Sequence, residues 1–222
     1  ADIRIDGAGK KVTRSDNCRV SDLSVSSDNL TFTYEAKSLP YPIDTSYYDN
    51  EKHTQADALS VIPFMDEMNY EGLSVSGLSD GYYGLTIGGE FIGRFTAREL
   101  ERGINMALLQ NTPQYKQAMK IRQMNEERWL KERKMREFYW VEYNLMRKTG
   151  MLWACNEAAV DTLRKYRPHD IFLQWNGDLW LQYMHKGIRE DCVNEQQDLV
   201  NQIYEQNKPI PLRIEIKKFT DL

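Results

Sequence analysis

Residues 70–109 constrain the fold more than any other part of the chain. Two apolar runs with strand character flank Gly88-Gly89. Both glycines accept a positive φ, so the pair predicts the two-residue turn of a tight β-hairpin. Thr96 and Glu99 stand at the spacing of a capping box, which predicts that a helix begins there. Apolar residues then recur at helical spacing as far as Leu108, so we expect the helix to continue to that point.

The remaining chain divides by pattern into a β-rich part and a helical part. Alternating residues predict strands at 3–6, 11–14, 23–26 and 30–36, followed by an extended segment at 39–42. Thr112-Pro113 predicts the start of a long charged helix that runs to about residue 148, with further helices at about 152–166 and 191–205. A last strand at 209–217 places Leu212, Ile214 and Ile216 on one face. We therefore predict an α+β fold: an antiparallel β-rich domain at 1–95, and a helical region at 96–222 packed on it that ends in the C-terminal strand.

Composition narrows the class of protein. The chain is 41% hydrophobic and 28% charged, with a net charge of −4, as in a soluble globular protein. This balance argues against a nucleic-acid surface over the whole chain, and no apolar stretch is long enough to span a membrane. The three cysteines are too scattered for a disulfide framework. Free or buried thiols are the favoured interpretation, and one bridge between Cys155 and Cys192 is the alternative.

The sequence indicates no catalytic, cofactor-binding or metal-binding residue. The three histidines lack metal-ligand spacing and there is no Cys-x-x-Cys, so neither a metal nor a cofactor is expected. Asp49 and His53 offer an acid and a base, but their polar surroundings favour a surface loop. Ser79-Asp80-Gly81 and Trp175-Asn176-Gly177-Asp178 are each interpreted as turns.

Two other patterns allow a functional and a structural interpretation. Residues 116–137 hold eight Lys/Arg and four Glu, which fits either a nucleic-acid surface or, preferably, a solvated helix face with i,i+4 ion pairs. The five tryptophans fall between residues 129 and 180. They fit either a surface that stacks on carbohydrate or, by default, core packing.

A series of motifs resembles a known family. Their order and spacing are similar to the C-terminal region of bacterial SGNH-type (GDSL-like) lipase/acylhydrolases, over roughly residues 10–145. The motifs are those at residues 81–87, 93–100, 103–105 and 112–115, with upstream similarity at 18–23, 30–34 and 39–42.

The resemblance implies an exported esterase that acts on acyl or acetyl groups, often on carbohydrate. The family's catalytic blocks, Gly-Asp-Ser and Asp-x-x-His, do not occur in this sequence and would precede Ala1. We therefore expect an accessory region that packs on the SGNH-like hydrolase domain of the same parent chain, in a periplasmic or secreted protein. A stand-alone carbohydrate-binding or interaction module and a self-standing enzyme are the alternatives.

Two expectations follow from this hypothesis. The chain alone should not hydrolyse p-nitrophenyl acetate, because the nucleophile and histidine blocks are missing. A β-rich part that docks on a neighbouring domain should expose an apolar patch. The candidate residues for that patch are Ile3, Ile5, Tyr41, Ile43, Tyr47 and Tyr48.

Overall fold

The computed structural model describes residues 1–44 and 54–219 and confirms the α+β class. Its contacts divide the chain into two compact units. We call residues Ala1–Arg122 with Gln206–Leu222 the β-rich unit, and residues Gln123–Glu205 the helical unit. The predicted domain boundary at residues 95–96 stays a prediction.

The described residues of the β-rich unit include nine strands in two sheets. Their bounds are β1 Asp2–Asp6, β2 Lys11–Asp16, β3 Cys18–Val25, β4 Asn29–Ala36, β5 Gly72–Ser76, β6 Tyr82–Ile87, β7 Glu90–Thr96, β8 Ile104–Asn105 and β9 Leu212–Lys218. The first sheet has the order β2-β1-β5-β8, in which β1 and β5 are parallel. The second sheet, β3-β4-β9-β6-β7, is antiparallel throughout.

The hairpin and the last strand form as predicted. Ile87 pairs with Glu90 across Gly88-Gly89, and these glycines have φ values of 59° and 86°. In β9, Leu212, Ile214 and Ile216 face the core, with exposures of 7%, 0% and 1%. This strand lies between β4 and β6, so the end of the chain completes the centre of the second sheet.

Six α-helices complete the described chain. They are α1 Phe64–Glu67, α2 Ala97–Arg102, α3 Pro113–Val141, α4 Glu157–Tyr166, α5 Ile171–Tyr183 and α6 Lys186–Gln206. Short 3-10 turns lie at Gln55–Ser60, Met106–Leu108 and Arg167–His169, and a π-helix lies at Glu142–Met146. Among the described residues, no helix has the length and apolar character that crossing a membrane requires.

Two predicted elements are wrong. The helix that starts at the Thr96 cap ends at Gly103, with φ of 95°, because Ile104–Asn105 pair with β5 instead of continuing the helix. The turn predicted at Trp175–Asp178 is helical and belongs to α5, whose N-cap is Asp170. The absence of a side chain at Gly177 lets the Arg167 guanidinium pack against the helix there.

The predicted apolar patch is wrong for three of the four candidate residues that the structure describes. Ile3, Ile5 and Ile43 are only 0%, 2% and 8% exposed, because they belong to the interior of the β-rich unit. Tyr41 is exposed, with its hydroxyl accepting a hydrogen bond from Gln55. Tyr47 and Tyr48 lie outside the described residues.

Candidate functional site

A π-helix at the end of α3 brings a carboxylate into the interior of the helical unit. The chain continues from Val141 into the π-helix Glu142–Met146, in which Glu142 is only 1% exposed. Single π-turns inserted in α-helices are rare and occur frequently at functional sites. Glu142 and the residues that bind it are therefore a candidate site.

Glu142 accepts two hydrogen bonds from tryptophan residues that are distant in sequence. Its Oε2 accepts from the backbone N–H of Trp153 at 2.8 Å, and its Oε1 accepts from the Trp180 indole Nε1 at 2.8 Å. Trp180 is fully buried. A buried carboxylate is costly unless both oxygens have donors, so these contacts hold the chain after α3 firmly against α5.

Trp153 has an unusual backbone for a bulky residue. Its φ is 62°, in the left-handed region that favours glycine. Such strain persists only where the surroundings determine the conformation, and it is concentrated at ligand-contacting sites. Here the hydrogen bond to Glu142 holds the backbone, while the indole remains 46% exposed.

Three exposed rings form the feature that we call the aromatic platform: Tyr139, Tyr143 and Trp153. The Trp153 ring lies edge-on to Tyr139 and Tyr143, with centroid distances of 6.0 and 5.9 Å. The three side chains are 39–46% exposed, whereas Phe138 beneath them is buried. Edge-to-face packing of this kind fixes ring orientation and leaves apolar faces for a flat ligand.

Two arginines lie beside the aromatic platform. The Arg147 guanidinium lies 5.6 Å from the Tyr143 ring centroid, and Arg189 lies 4.9 Å from that of Phe138 and donates to the Tyr183 and Met184 carbonyls. An open groove of about 530 Å³ is lined by Tyr139 together with basic and acidic side chains, which include Arg189 and Glu190. The platform can therefore stack on an aromatic ring, with the exposed Arg147 beside it as a hydrogen-bond donor.

A second exposed aromatic group lies elsewhere in the helical unit. Trp140 and Phe172 have centroids 5.2 Å apart, and Phe172 and Trp175 have centroids 5.6 Å apart. Trp175 is 68% exposed and lies within a regular helix. This group lacks the left-handed backbone and the buried carboxylate that hold Trp153.

Core packing as the default for tryptophan is therefore wrong for most of these residues. Trp180 is a core residue, but Trp129, Trp153 and Trp175 are 43%, 46% and 68% exposed. The clustering of tryptophan in the sequence points to this part of the chain, but the platform contains only one of the five, Trp153. Sequence spacing could not show which rings are buried.

The β-rich unit contains a different polar cluster, around Glu71. Glu71 is 5% exposed and accepts from the Tyr34 hydroxyl at 2.6 Å and from Gln114 Nε2 at 3.2 Å. Burial raises the pKa of Glu71, against the opposing effect of these hydrogen bonds. A polar cavity of about 80 Å³ lies beside Tyr34 and Glu71. No sequence motif indicated this cluster, because its members come from β4, α3 and the chain before β5.

Of Ser79, Asp49 and His53, the structure describes only Ser79. Ser79 lies in the segment between β5 and β6, where its hydroxyl accepts a hydrogen bond from Lys218 Nζ at 2.7 Å. Asp49 and His53 lie outside the described residues. Within the described residues there is no cluster of side chains that could hold a metal ion. All three thiols are free, in agreement with the favoured interpretation.

The charged face of α3 is extensively paired with acidic side chains. The predicted i,i+4 pairs form, Lys131 with Glu127 at 3.8 Å and Arg136 with Glu132 at 3.6 Å. Lys131 also reaches Glu195 at 2.6 Å. These contacts agree with a solvated helix face.

Comparison with known proteins identifies relatives of both units. Residues 119–208 match the family model of the diltiazem deacetylase C-terminal helical domain. A solved structure described as BT4096, a gut microbial diltiazem-metabolizing enzyme, superposes with a TM-score of 0.91 at 35% sequence identity. The match covers 99% of this chain and 50% of that one, so the chain spans about half the length of the solved relative. No curated protein matches the chain.

These matches correct the family expectation. No SGNH/GDSL family model matches, so the resemblance to SGNH-type acylhydrolases and the accessory role derived from it are wrong. The short motifs that carried the resemblance are mostly strand, turn and cap signals, which unrelated folds share because the local physics is the same. The segment that contains the aromatic platform is similar to the C-terminal helical domain of diltiazem deacetylase.

Proposed function

We propose that this chain is the substrate-contacting half of an enzyme that deacetylates aromatic esters, in the manner of a diltiazem deacetylase. The observation that carries the proposal is the 0.91 TM-score over 99% of the chain, at 35% identity, with a diltiazem-metabolizing enzyme. A match of that extent supports a shared fold for this chain and the corresponding half of the enzyme.

The aromatic platform supports a recognition role. Tyr139, Tyr143 and Trp153 all lie inside residues 119–208, the segment that matches the deacetylase helical domain. Diltiazem is an acetyl ester that carries flat aromatic rings, and such rings bind exposed indole and phenol faces. The proposal assigns ring binding to the platform and assigns no hydrolytic step to the described residues.

Calorimetric titration of the 222-residue chain with diltiazem tests this role. We expect saturable binding of diltiazem and of its deacetylated product with similar affinity, because the platform contacts the rings and not the acetyl group. Trp153→Ala removes the indole but keeps the backbone N–H that donates a hydrogen bond to Glu142. Loss of one stacking contact of about 1 kcal/mol corresponds to a roughly fivefold weaker Kd.

The matched control is Trp175→Ala, which removes a more exposed indole from the second aromatic group. Its affinity for diltiazem should equal that of the unmodified chain. Absence of binding, or equal losses in the two variants, would contradict the proposal. Acetate release measured in the same samples tests separately the sequence prediction that the chain alone does not hydrolyse acetyl esters.

A further inference from the structure

Cys155 and His185 form a thiol–imidazole pair on the surface of the helical unit. The Cys155 Sγ lies 3.3 Å from His185 Nδ1, and both side chains are exposed. The two residues are far apart in sequence: Cys155 precedes Asn156, the N-cap of α4, and His185 lies between α5 and α6. Neither was singled out by sequence pattern as a partner of the other.

The other two cysteines provide an internal contrast. Cys192 is 5% exposed, with its Sγ directed at the Lys131 carbonyl oxygen at 3.7 Å. Cys18 is half-buried, and burial raises its thiol pKa. Cys155 thus combines solvent access with a basic nitrogen at hydrogen-bonding distance, which is the arrangement that activates thiol nucleophiles.

We propose that Cys155 is a modification site, a nucleophilic thiol assisted by His185 that forms mixed disulfides with small-molecule disulfides. With its own proton on Nε2, His185 accepts the thiol proton at Nδ1. The Cys155 thiolate attacks one sulfur of the disulfide, so that a new S–S bond forms as the old one breaks. The second sulfur leaves as a thiolate and takes the proton from the imidazolium. One thiol and one disulfide therefore yield one mixed disulfide and one thiol.

The charged side chains next to this pair in sequence form ion pairs with other residues. Glu157, in the first turn of α4, pairs with Arg164 at 2.9 Å, and Lys186, which follows His185, pairs with Glu190 at 3.4 Å. The N-terminal end of α4 lies directly after Cys155 and favours negative charge there. The site is separate from the ring-binding role of the aromatic platform, and its test does not depend on diltiazem.

The experiment measures the reaction of the full chain with the aromatic disulfide DTNB, with peptide mass mapping to identify the modified cysteine. We expect Cys155 to react first, and Cys155→Ser to remove that fast phase. His185→Gln should slow the reaction of Cys155 about tenfold at about pH 6.5. The two rates should converge at about pH 9, where thiols ionise without assistance.

The pH profile separates proton transfer from a structural role of His185, because a change in packing would slow the reaction equally at both pH values. Glutathione disulfide as a second probe should add one glutathionyl group, at Cys155. The proposal is overturned if Cys155 reacts no faster than Cys18, or if His185→Gln and a second variant, His185→Asn, both react at the rate of the unmodified chain throughout.

Discussion

The β-rich unit and the helical unit divide their aromatic residues between core and surface by different periodicities. On β6 of the β-rich unit, Tyr83 is 1% exposed and its neighbour Tyr82 is 49% exposed, whereas the helical unit buries Trp180 at 0% and leaves Trp153 and Trp175 46% and 68% exposed. Alternation in a strand assigns every second side chain to the core. The lesson is that aromatic content alone does not indicate a core, and that the element carrying each ring decides whether it is buried.

The geometry of α3 explains the exposed rings. Residues Phe138, Tyr139 and Trp140 are consecutive, so their side chains point in directions about 100° apart around the helix axis. Phe138 can face the core, and it is 0% exposed, but the next two residues must lie toward other faces. Tyr139 joins the aromatic platform and Trp140 joins the second aromatic group.

The two units also differ in how they use a buried carboxyl group. Glu71 in the β-rich unit accepts hydrogen bonds from two side chains and has a raised pKa, caused mainly by burial. Glu142 in the helical unit accepts hydrogen bonds from one backbone N–H and one indole N–H of residues that follow it in sequence. The first carboxyl group is part of a sheet interior, and the second supports an exposed surface.

All five tryptophans lie in the helical unit, which allows the two units to be measured separately. Tryptophan fluorescence follows unfolding of the helical unit. Hydrogen exchange of strand and α2 amides follows the β-rich unit.

The largest effect is expected from Trp180→Ala. The substitution removes a fully buried ring and leaves Glu142 Oε1 without its donor, so the free energy of unfolding of the helical unit should fall by about 4 kcal/mol. Chemical unfolding followed by fluorescence of the remaining tryptophans measures it. The matched control, Trp175→Ala, should change stability by less than about 0.5 kcal/mol. Similar losses in the two variants would remove the distinction between core and surface tryptophans.

The next effect concerns pH and distinguishes the β-rich unit. Because burial raises the pKa of Glu71, the folded chain binds this proton more tightly than the unfolded chain. The resulting stabilisation is complete below the unfolded pKa of about 4.3, and it is lost as pH rises through the folded value. Glu71→Gln should therefore remove the loss of stability that ionisation of Glu71 causes. At neutral pH the strand amides of this variant should exchange more slowly than those of the unmodified chain.

The geometry around Glu71 favours this outcome. Gln114 Oε1 is buried without a hydrogen-bond partner, and rotation of the Gln114 amide would let it accept from the new amide at position 71. The control is Glu101→Gln on the exposed side of α2, which should leave the pH dependence unchanged. If the Glu71 and Glu101 variants respond alike to pH, burial is not the cause.

The smallest effect is expected at the helix cap of the β-rich unit. Thr96 Oγ1 accepts from the Glu99 N–H at 3.1 Å, and the Glu99 carboxylate accepts from the Thr96 N–H at 2.7 Å. Thr96→Ala should destabilise α2 by about 1 kcal/mol, measured as faster exchange of its amides. Arg98→Ala, on the exposed face of the same helix, serves as the control and should change little. Unchanged exchange in the Thr96 variant would argue that packing alone holds α2.

Sequence patterns predicted secondary structure correctly where the stabilising interactions lie within one short segment. Gly88-Gly89 closes the hairpin because both residues accept positive φ, and Thr96 with Glu99 satisfies backbone donors within one turn. The helical pattern failed where residues distant in sequence supply hydrogen bonds that a helix would not make. Ile104 has helical spacing with Leu100, but its neighbour Asn105 accepts from the Glu71 N–H and donates to the Met65 carbonyl, so both residues pair with β5 instead.

The sequence by itself determined the α+β class, the capped helix start, the hairpin and the buried face of β9, since each depends on side-chain period or on turn chemistry within a few residues. Only the tertiary structure decided the candidate sites. Glu142 accepts a hydrogen bond from Trp180, which lies 38 positions away in sequence, and Cys155 contacts His185, which lies 30 positions away. No local periodicity of the sequence predicts contacts of this kind. They depend on how α3, α4 and α5 pack, and packing is a property of many side chains acting together.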